Sequence, residues 1–153
     1  MQFKIQKGNG LKGEITVPGD KSMSHRAIML ASLADGKSEI SGFLEGEDCL
    51  ATIEVFQKMG VNISRREGLF IVEGQGLKSL KDPSVPLDFG NSGTSVRLCS
   101  GVLVAQEFPS TLIGDSSLSS RPMTRITEPL CLMGANISST EEGTLPIRVE
   151  PVD

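Results

Sequence analysis

The chain has 153 residues, of which 38% are apolar, and a chain of this length can bury about two-thirds of its unfolded surface in one domain or two small lobes. Its net charge of −4 and its lack of Trp and Tyr argue against nucleic acid as a partner, because neither a basic stripe nor a stacking platform is present. No apolar run is long enough to cross a membrane, and residues 1–7 lack the apolar core of a signal peptide, so we expect a cytoplasmic protein with no membrane partner.

The cysteines and the single histidine argue against two further kinds of site. Cys49, Cys99 and Cys131 are odd in number and fall within predicted helices, which favours reduced thiols packed as small apolar groups over a disulfide framework. With one histidine and no paired cysteine spacing, a structural zinc site is improbable on sequence grounds. We therefore predict no metal and no cofactor.

The first chemically distinctive segment is GDKSMSHR at residues 19–26, just ahead of an apolar run. A helix N-terminus offers unpaired N–H groups and the positive end of the helix dipole, so cations and hydroxyls gathered there indicate an anion-binding site. If the helix starts near Ser22, Ser22 and Arg26 share one face and Lys21 reaches the same ligand from the side. The alternative interpretation is a capped helix followed by two solvated cations.

A nucleotide-binding P-loop does not fit this segment. The motif requires Gly, four residues, then Gly-Lys-Ser or Gly-Lys-Thr. Here Asp20 separates Gly19 from Lys21, and the spacing from Gly13 is one residue too long.

The first part of the chain continues as helix, strand, helix, strand, strand. Apolar recurrences such as Leu50, Ile53 and Phe56 indicate a helix, which Gly60 ends, and short β-branched runs indicate strands. The predicted helices are Ser24–Ala34 and Asp48–Met59, and the predicted strands are Ser38–Phe43, a strand opening at Asn62–Ile63, and Leu69–Val72. A loop containing Gly and Pro then spans residues 74–86.

The same order of parts then recurs, so we interpret the chain as an internal duplication. Gly90 aligns with Gly19, Asn91 with Asp20, Ser95 with Ser24 and Arg97 with Arg26, and MGVNIS at 59–64 is answered by MGANIS at 133–138. The second set comprises helices Thr94–Val104 and Met123–Met133 and strands at Ser110–Ile113, Asn136–Ile137 and Ile147–Val149. A period of roughly seventy residues suits a repeated α/β module, here β-α-β-α-β-β twice.

A third distinctive string, GDSSLSSRPMTR, occupies residues 114–125. Pro122 at a first helical position would fix the helix start and leave Arg121 outside it, able to turn toward a ligand. Arg121 and Arg125 are equally well interpreted as two solvated charges. Pro129 in a helix interior would cost about 3 kcal/mol or bend the axis, so this helix should be short or kinked.

The segments 19–27, 90–98 and 114–123 resemble, in order, the three N-terminal signatures of 5-enolpyruvylshikimate-3-phosphate synthases. The resemblance implies an α/β fold in which each lobe holds three β-α-β-α-β-β units as an inside-out α/β barrel, two of the three being present here. Residues 1–17 would be a strand segment belonging to the other lobe. Residues 18–153 would be a partial N-terminal lobe with units at about 18–80 and 81–153. Members are more than twice as long, so we expect an N-terminal fragment.

The resemblance also implies an activity, the transfer of the enolpyruvyl group of phosphoenolpyruvate to the 5-hydroxyl of shikimate-3-phosphate with release of phosphate. Lys21, Ser22 and Arg26 would bind shikimate-3-phosphate. Lys21, as the shared catalytic contact, would bind phosphoenolpyruvate together with Gly93 and Arg121, and Asn91 and Thr94 would shape the second loop. The family's general base lies beyond this chain, which is therefore expected to be inactive alone.

Two alternatives stay open at the level of sequence. A UDP-N-acetylglucosamine enolpyruvyl transferase would share the architecture, but that family lacks the S-x-S-H-R string and carries a catalytic Cys near residue 115, where this chain has serines. A non-catalytic anion-binding module is the other. The full-length enzyme is expected to be monomeric, whereas a fragment with an unpaired strand edge is expected to self-associate.

Overall fold

The computed structural model describes residues 2–152 as one chain of alternating helices and strands. The elements are α1 Lys21–Leu33, β1 Asp35–Ile40, α2 Glu47–Lys58, β2 Asn62–Arg66, β3 Leu69–Gln75, β4 Leu87–Asp88, α3 Gly93–Leu103, β5 Ser110–Ile113, α4 Ser116–Ser119, α5 Thr124–Leu132, β6 Asn136–Ser138 and β7 Ile147–Glu150. None of the helices among residues 2–152 has the length and apolar content needed to span a membrane.

Each of the two repeats forms its own sheet, and the two sheets have related strand orders. The first has the order β1-β3-β2 and the second the order β4-β5-β7-β6. The antiparallel set β5, β7, β6 repeats β1, β3, β2, and β4 adds a parallel strand beside β5. The predicted β-α-β-α-β-β order is complete in the second repeat. In the first repeat residues 14–20 form no strand, so one edge of β1 pairs with no strand among the described residues.

Helix caps explain where the structure departs from the predicted bounds. Helix α1 begins at Lys21 instead of Ser24, because Asp20 is its N-cap and accepts a hydrogen bond from the Met23 N–H at 2.7 Å. The short helix α4 was not predicted, and it is capped in the same way by Asp115 through the Leu118 N–H at 2.7 Å. Strand β1 starts soon after α1, three residues before the predicted start.

The last helix confirms one expectation and corrects another. Helix α5 contains Pro129 and is only nine residues long, in line with the predicted short helix. Cys49 and Cys99 are buried free thiols, as expected of small apolar groups. The prediction is wrong for Cys131, which is exposed on α5 and whose thiol lies 3.2 Å from the Ile137 carbonyl oxygen of β6.

One apolar core joins the two repeats. Phe56 and Met59 of the first repeat and Phe89, Val96 and Leu112 of the second are fully buried members of the same cluster. Burying each such side chain contributes about 1.5–3 kcal/mol relative to leaving it exposed. Because the cluster spans both repeats, neither repeat has a separate core of its own.

Helix α1 ends so close to strand β3 that the strand can hold only glycine at one position. A Cβ added to Gly74 would stand 2.3 Å from the carbonyl oxygens of both Ala31 and Ala34. The Ala34 carbonyl oxygen also accepts a hydrogen bond from the Gly76 N–H at 2.9 Å. Both obstructing atoms belong to the backbone, so they cannot rotate away.

We predict opposite effects for alanine at two glycines. Gly74→Ala forces the end of α1 off the sheet and should lower the free energy of unfolding by about 1–3 kcal/mol, the usual effect of overpacking. Gly101→Ala, on α3 with open space at its Cβ position, should raise it by about 0.5–1 kcal/mol, because alanine is the better helix former. Urea denaturation of both variants is the measurement, and a Gly74→Ala protein as stable as the parent contradicts the close packing.

Candidate active site

The first cluster of predicted site residues lies at the start of α1. Lys21 is the first residue of the helix, and Ser22 and Arg26 are exposed one turn apart, with the Arg26 Nη1 donating to the Ser22 carbonyl oxygen at 3.2 Å. Asp20 caps the helix with its side chain, and the Ser24 hydroxyl donates to the Asp20 carbonyl oxygen at 2.8 Å. The helix start thus presents a hydroxyl and two cations to solvent.

Lys21 has a carboxylate partner that the sequence did not reveal. Its ammonium group forms an ion pair with Asp48 in the first turn of α2, and about half of the Lys21 side chain remains exposed. The pair fixes the amine against α2 while leaving it accessible from the solvent side. An anionic ligand would therefore share this amine with Asp48.

The second cluster lies at the start of α3. Ser92 is the N-cap, its hydroxyl accepts a hydrogen bond from the Ser95 N–H at 3.2 Å, and Gly93 is the buried first helical residue. Arg97 donates through Nη1 to the Gly93 carbonyl oxygen at 3.1 Å, as Arg26 does to Ser22 in the first repeat. Its buried Nε has no hydrogen-bond partner within residues 2–152. Thr94 follows Gly93 and is half-buried.

Arg121 turns toward this second cluster rather than into solvent. Its Nη2 donates to the Asn91 Oδ1 at 2.6 Å and to the Ser117 hydroxyl at 3.2 Å. Asn91 in turn donates to the Asp115 carboxylate at 2.7 Å, and this bond, with the Leu118 N–H, lowers the pKa of Asp115 below its usual 3.8. Arg121 is therefore not a freely solvated charge, whereas Arg125 is exposed.

Glycine at position 93 leaves room for two guanidinium groups. A Cβ there would stand 2.8 Å from Arg97 Nη1 and 3.1 Å from Arg121 Nη1. Both arginines are hydrogen-bonded to uncharged oxygens, so neither positive charge is neutralised by a carboxylate through these contacts. Two guanidinium groups beside a helix N-terminus favour a carboxylate or phosphate ligand, because each can donate two parallel hydrogen bonds to it.

The two clusters are connected through the interior. The Nε2 of His25 on α1 lies 3.5 Å from the Ser92 hydroxyl and 3.9 Å from the Cys49 sulfur, which itself lies 3.7 Å from the Lys21 carbonyl oxygen. The start of α1 and the start of α3 are therefore neighbours. A ligand with two anionic parts, or two anionic ligands, could contact both.

Sequence reasoning missed three residues of this arrangement. Arg97 had a signal, because the duplication aligns it with Arg26, yet it was not assigned to the site. Asp48 and His25 had none, because their roles come from contacts between helices distant in sequence. No group of three or more His, Cys, Asp or Glu side chains within residues 2–152 is placed to hold a metal ion.

Comparisons with known proteins identify the family. The family model of EPSP synthase (3-phosphoshikimate 1-carboxyvinyltransferase) matches residues 5–153. A 3-phosphoshikimate 1-carboxyvinyltransferase of Hydrogenovibrio crunogenus is 54% identical over 99% of this chain and 34% of its own length, and one of Methylococcus capsulatus is 56% identical over 96% and 34%. An EPSP synthase structure from Acinetobacter baumannii has a TM-score of 0.87 at 52% identity, covering 92% of this chain and 32% of that one. The chain spans about a third of the length of these relatives, and it belongs to the EPSP synthase family.

Proposed function

We propose that this chain supplies part of both substrate sites of an enolpyruvyl transferase, which moves the enolpyruvyl group of phosphoenolpyruvate to the 5-hydroxyl of shikimate-3-phosphate and releases phosphate. Lys21, Ser22 and Arg26 bind shikimate-3-phosphate, and Lys21, Gly93 and Arg121 bind phosphoenolpyruvate. Asn91 and Thr94 shape the second loop, at residues 90–94, which includes Gly93. We also propose that the protein acts in the cytoplasm, in line with the sequence-based expectation above.

One observation carries this proposal. The guanidinium groups of Arg97 and Arg121 converge on the side of Gly93 where any other residue would have its Cβ, next to the cationic start of α1. Both substrates are polyanions, so bringing them together costs Coulomb repulsion that a cation between them relieves. Lys21 is suited to this task because it is fixed by Asp48 yet half-exposed. The planar fork of Arg121 matches a carboxylate or phosphate.

The described site binds charge but offers no free base for the 5-hydroxyl proton. Asp20 caps α1, Asp48 pairs with Lys21, and Asp115 accepts bonds from Asn91 and Leu118. The reaction also needs proton transfer: the 5-hydroxyl gives up its proton to a base as its oxygen adds to C2 of phosphoenolpyruvate, an enol phosphate. C3 takes up a proton in that addition and loses it again when phosphate leaves. We therefore expect this chain to bind both substrates and to release no phosphate from them.

The first test removes both cations from the start of α1. Lys21→Ala with Arg26→Ala should weaken shikimate-3-phosphate binding by at least tenfold, because each charged donor to a phosphate contributes about 1.5–3 kcal/mol. Isothermal titration calorimetry measures the affinity. Lys12→Ala with Arg66→Ala, which removes the same charge from exposed positions elsewhere, is the matched control, and unchanged binding in the Lys21 and Arg26 variant would rule out this subsite.

The second test adds a methyl group at Gly93. The added Cβ of Gly93→Ala would meet the guanidinium ends of Arg97 and Arg121 rather than backbone, so the fold should survive while the two guanidinium groups shift. We expect phosphoenolpyruvate affinity to fall about tenfold. Affinity for glyphosate, a bulkier inhibitor that the resemblance to 5-enolpyruvylshikimate-3-phosphate synthases implies, should fall further. Gly101→Ala is the control. Equal losses for the two ligands would refute the steric explanation, and no loss for either would remove Gly93 from the site.

We further propose that residues 2–17 pair outside their own repeat and that the isolated chain self-associates. These residues are exposed throughout, including Ile15 and Val17. Leu132 at the end of α5 and Met133, its C-cap, are 90% and 81% exposed. Residues 15–17 precede α1 as β4 precedes α3. Strand β4 pairs in parallel with β5, whereas the corresponding edge of β1 has no strand partner among residues 2–152. An open edge and apolar surface favour association.

Sedimentation velocity and amide exchange test this proposal together. We expect concentration-dependent oligomers, with residues 15–17 exchanging fast in the monomer and more slowly in the oligomer. Leu132→Glu with Met133→Glu should shift the equilibrium toward monomer by removing apolar contacts. A monomer at all concentrations whose residues 15–17 are strongly protected would contradict the proposal.

A further inference from the structure

A closed ring of polar side chains lies buried between the two repeats. The His25 Nδ1 is 2.7 Å from the Thr52 hydroxyl, which is 2.7 Å from the Ser95 hydroxyl. The Ser95 N–H donates to the Ser92 hydroxyl at 3.2 Å, and the Ser92 hydroxyl lies 3.5 Å from the His25 Nε2. All four residues are at most 1% exposed. The ring joins α1, α2 and the first turn of α3.

Packing alone does not require this ring. In the second repeat the residue before Arg97 is Val96, which occupies the position that His25 occupies before Arg26, and Val96 is also fully buried. The fold thus accommodates an apolar side chain at this helix position. A polar group in a core lowers stability unless its partners are in place. Because only the first repeat has an imidazole at this helix position, His25 has a task that is specific to the contact between the repeats.

The ring acts on the residues that flank Gly93. Ser92 and Ser95 bracket Gly93 and Thr94, and both reach the same imidazole, one directly and the other through Thr52. His25 itself belongs to the helix that carries Lys21, Ser22 and Arg26. The imidazole therefore sets the position of one anion subsite relative to the other.

We propose that His25 is a positioning residue that, as the neutral imidazole, holds the first turn of α3 and its Gly93 subsite in register with the first turn of α1. Only the identity of the ligands rests on the function proposed above. His25 touches neither substrate. Its effect passes through Ser92 and Ser95.

The surrounding charges agree with a neutral imidazole. Burial lowers the pKa of His25 below its usual 6.5, and Lys21 and Arg26 on α1 lower it further, against the opposing effect of Asp48 on α2. Cys49 on α2 also faces the ring, and its thiol pKa is raised, mainly by burial. From α3 the ring is faced by the uncharged Ser92 and Ser95.

The test combines two variants that break the ring with one that does not. His25→Val introduces the residue of the second repeat, and Thr52→Val removes one hydroxyl at constant shape. Ser32→Ala is the control, because it removes a buried hydroxyl on α1 that has no hydrogen-bond partner in the described part of the chain. Thr52→Val keeps the test decisive if His25→Val fails to fold.

We expect amide exchange at Ser95 and Gly93 to speed up at least tenfold in both ring variants, while β3 keeps its protection. Phosphoenolpyruvate affinity should fall about tenfold in each, and the double variant should lose little more than either single one, because both break the same ring. If both variants match Ser32→Ala in exchange and affinity, the inference is wrong. Exchange needs no ligand, so faster exchange in a chain that binds no phosphoenolpyruvate upholds the positioning and overturns the proposed function.

A pH profile gives an independent readout. The unfolded chain binds a proton at His25 near the usual pKa of 6.5, whereas the folded chain resists it, so stability is fully present above pH 6.5 and is lost as the pH falls below that value toward the folded pKa. The parent and Ser32→Ala should lose stability between pH 7 and 5, and His25→Val should lose less. Identical profiles for all three would contradict a neutral, buried imidazole.

Discussion

Two helix N-termini meet at one place in this molecule, and that meeting is the constraint on which the site depends. The starts of α1 and α3 carry positive dipole ends, and Lys21, Arg26, Arg97 and Arg121 add four cations beside them. Gathering so much positive charge is unfavourable without counter-charge. Carboxylates at three helix starts offset it, namely Asp20 before α1, Asp48 in the first turn of α2 and Asp115 before α4.

The arrangement keeps its arginines available for a ligand while still fixing them in place. Asn91 is central to this, because its amide accepts from Arg121 and donates to Asp115. The carboxylate therefore orients Arg121 through a neutral group rather than neutralising it directly. Arg26 and Arg97 are oriented by carbonyl oxygens of their own helices. Side chains already held in place lose less conformational entropy when an anion binds.

The two repeats share their strand order but differ in the residues with which they contact each other. The shared part is structural, since β1-β3-β2 and β5-β7-β6 have the same order and both repeats bury their apolar faces in one core. The differences lie where the two repeats touch. His25 and Val96 occupy equivalent helix positions, yet of these two residues only His25 places a polar atom at the other repeat, with its Nε2 3.5 Å from the Ser92 hydroxyl. Likewise α2 is buried along the face that includes Val55 and Met59, while α5 leaves Leu132 and Met133 exposed.

The sequence by itself determined the repeat, the four longer helices to within about three residues at each end, and the segments that carry the cations, because capping and apolar periodicity are local properties. Tertiary structure alone decided how those cations are held. The ion pair of Lys21 with Asp48, the turn of Arg121 toward Asn91 thirty positions away and the burial of His25 against Thr52 join separate helices and loops. No local pattern encodes them. The exposure of Cys131 and the open edge of β1 were likewise decided by what packs against each element, which is a property of the assembled fold.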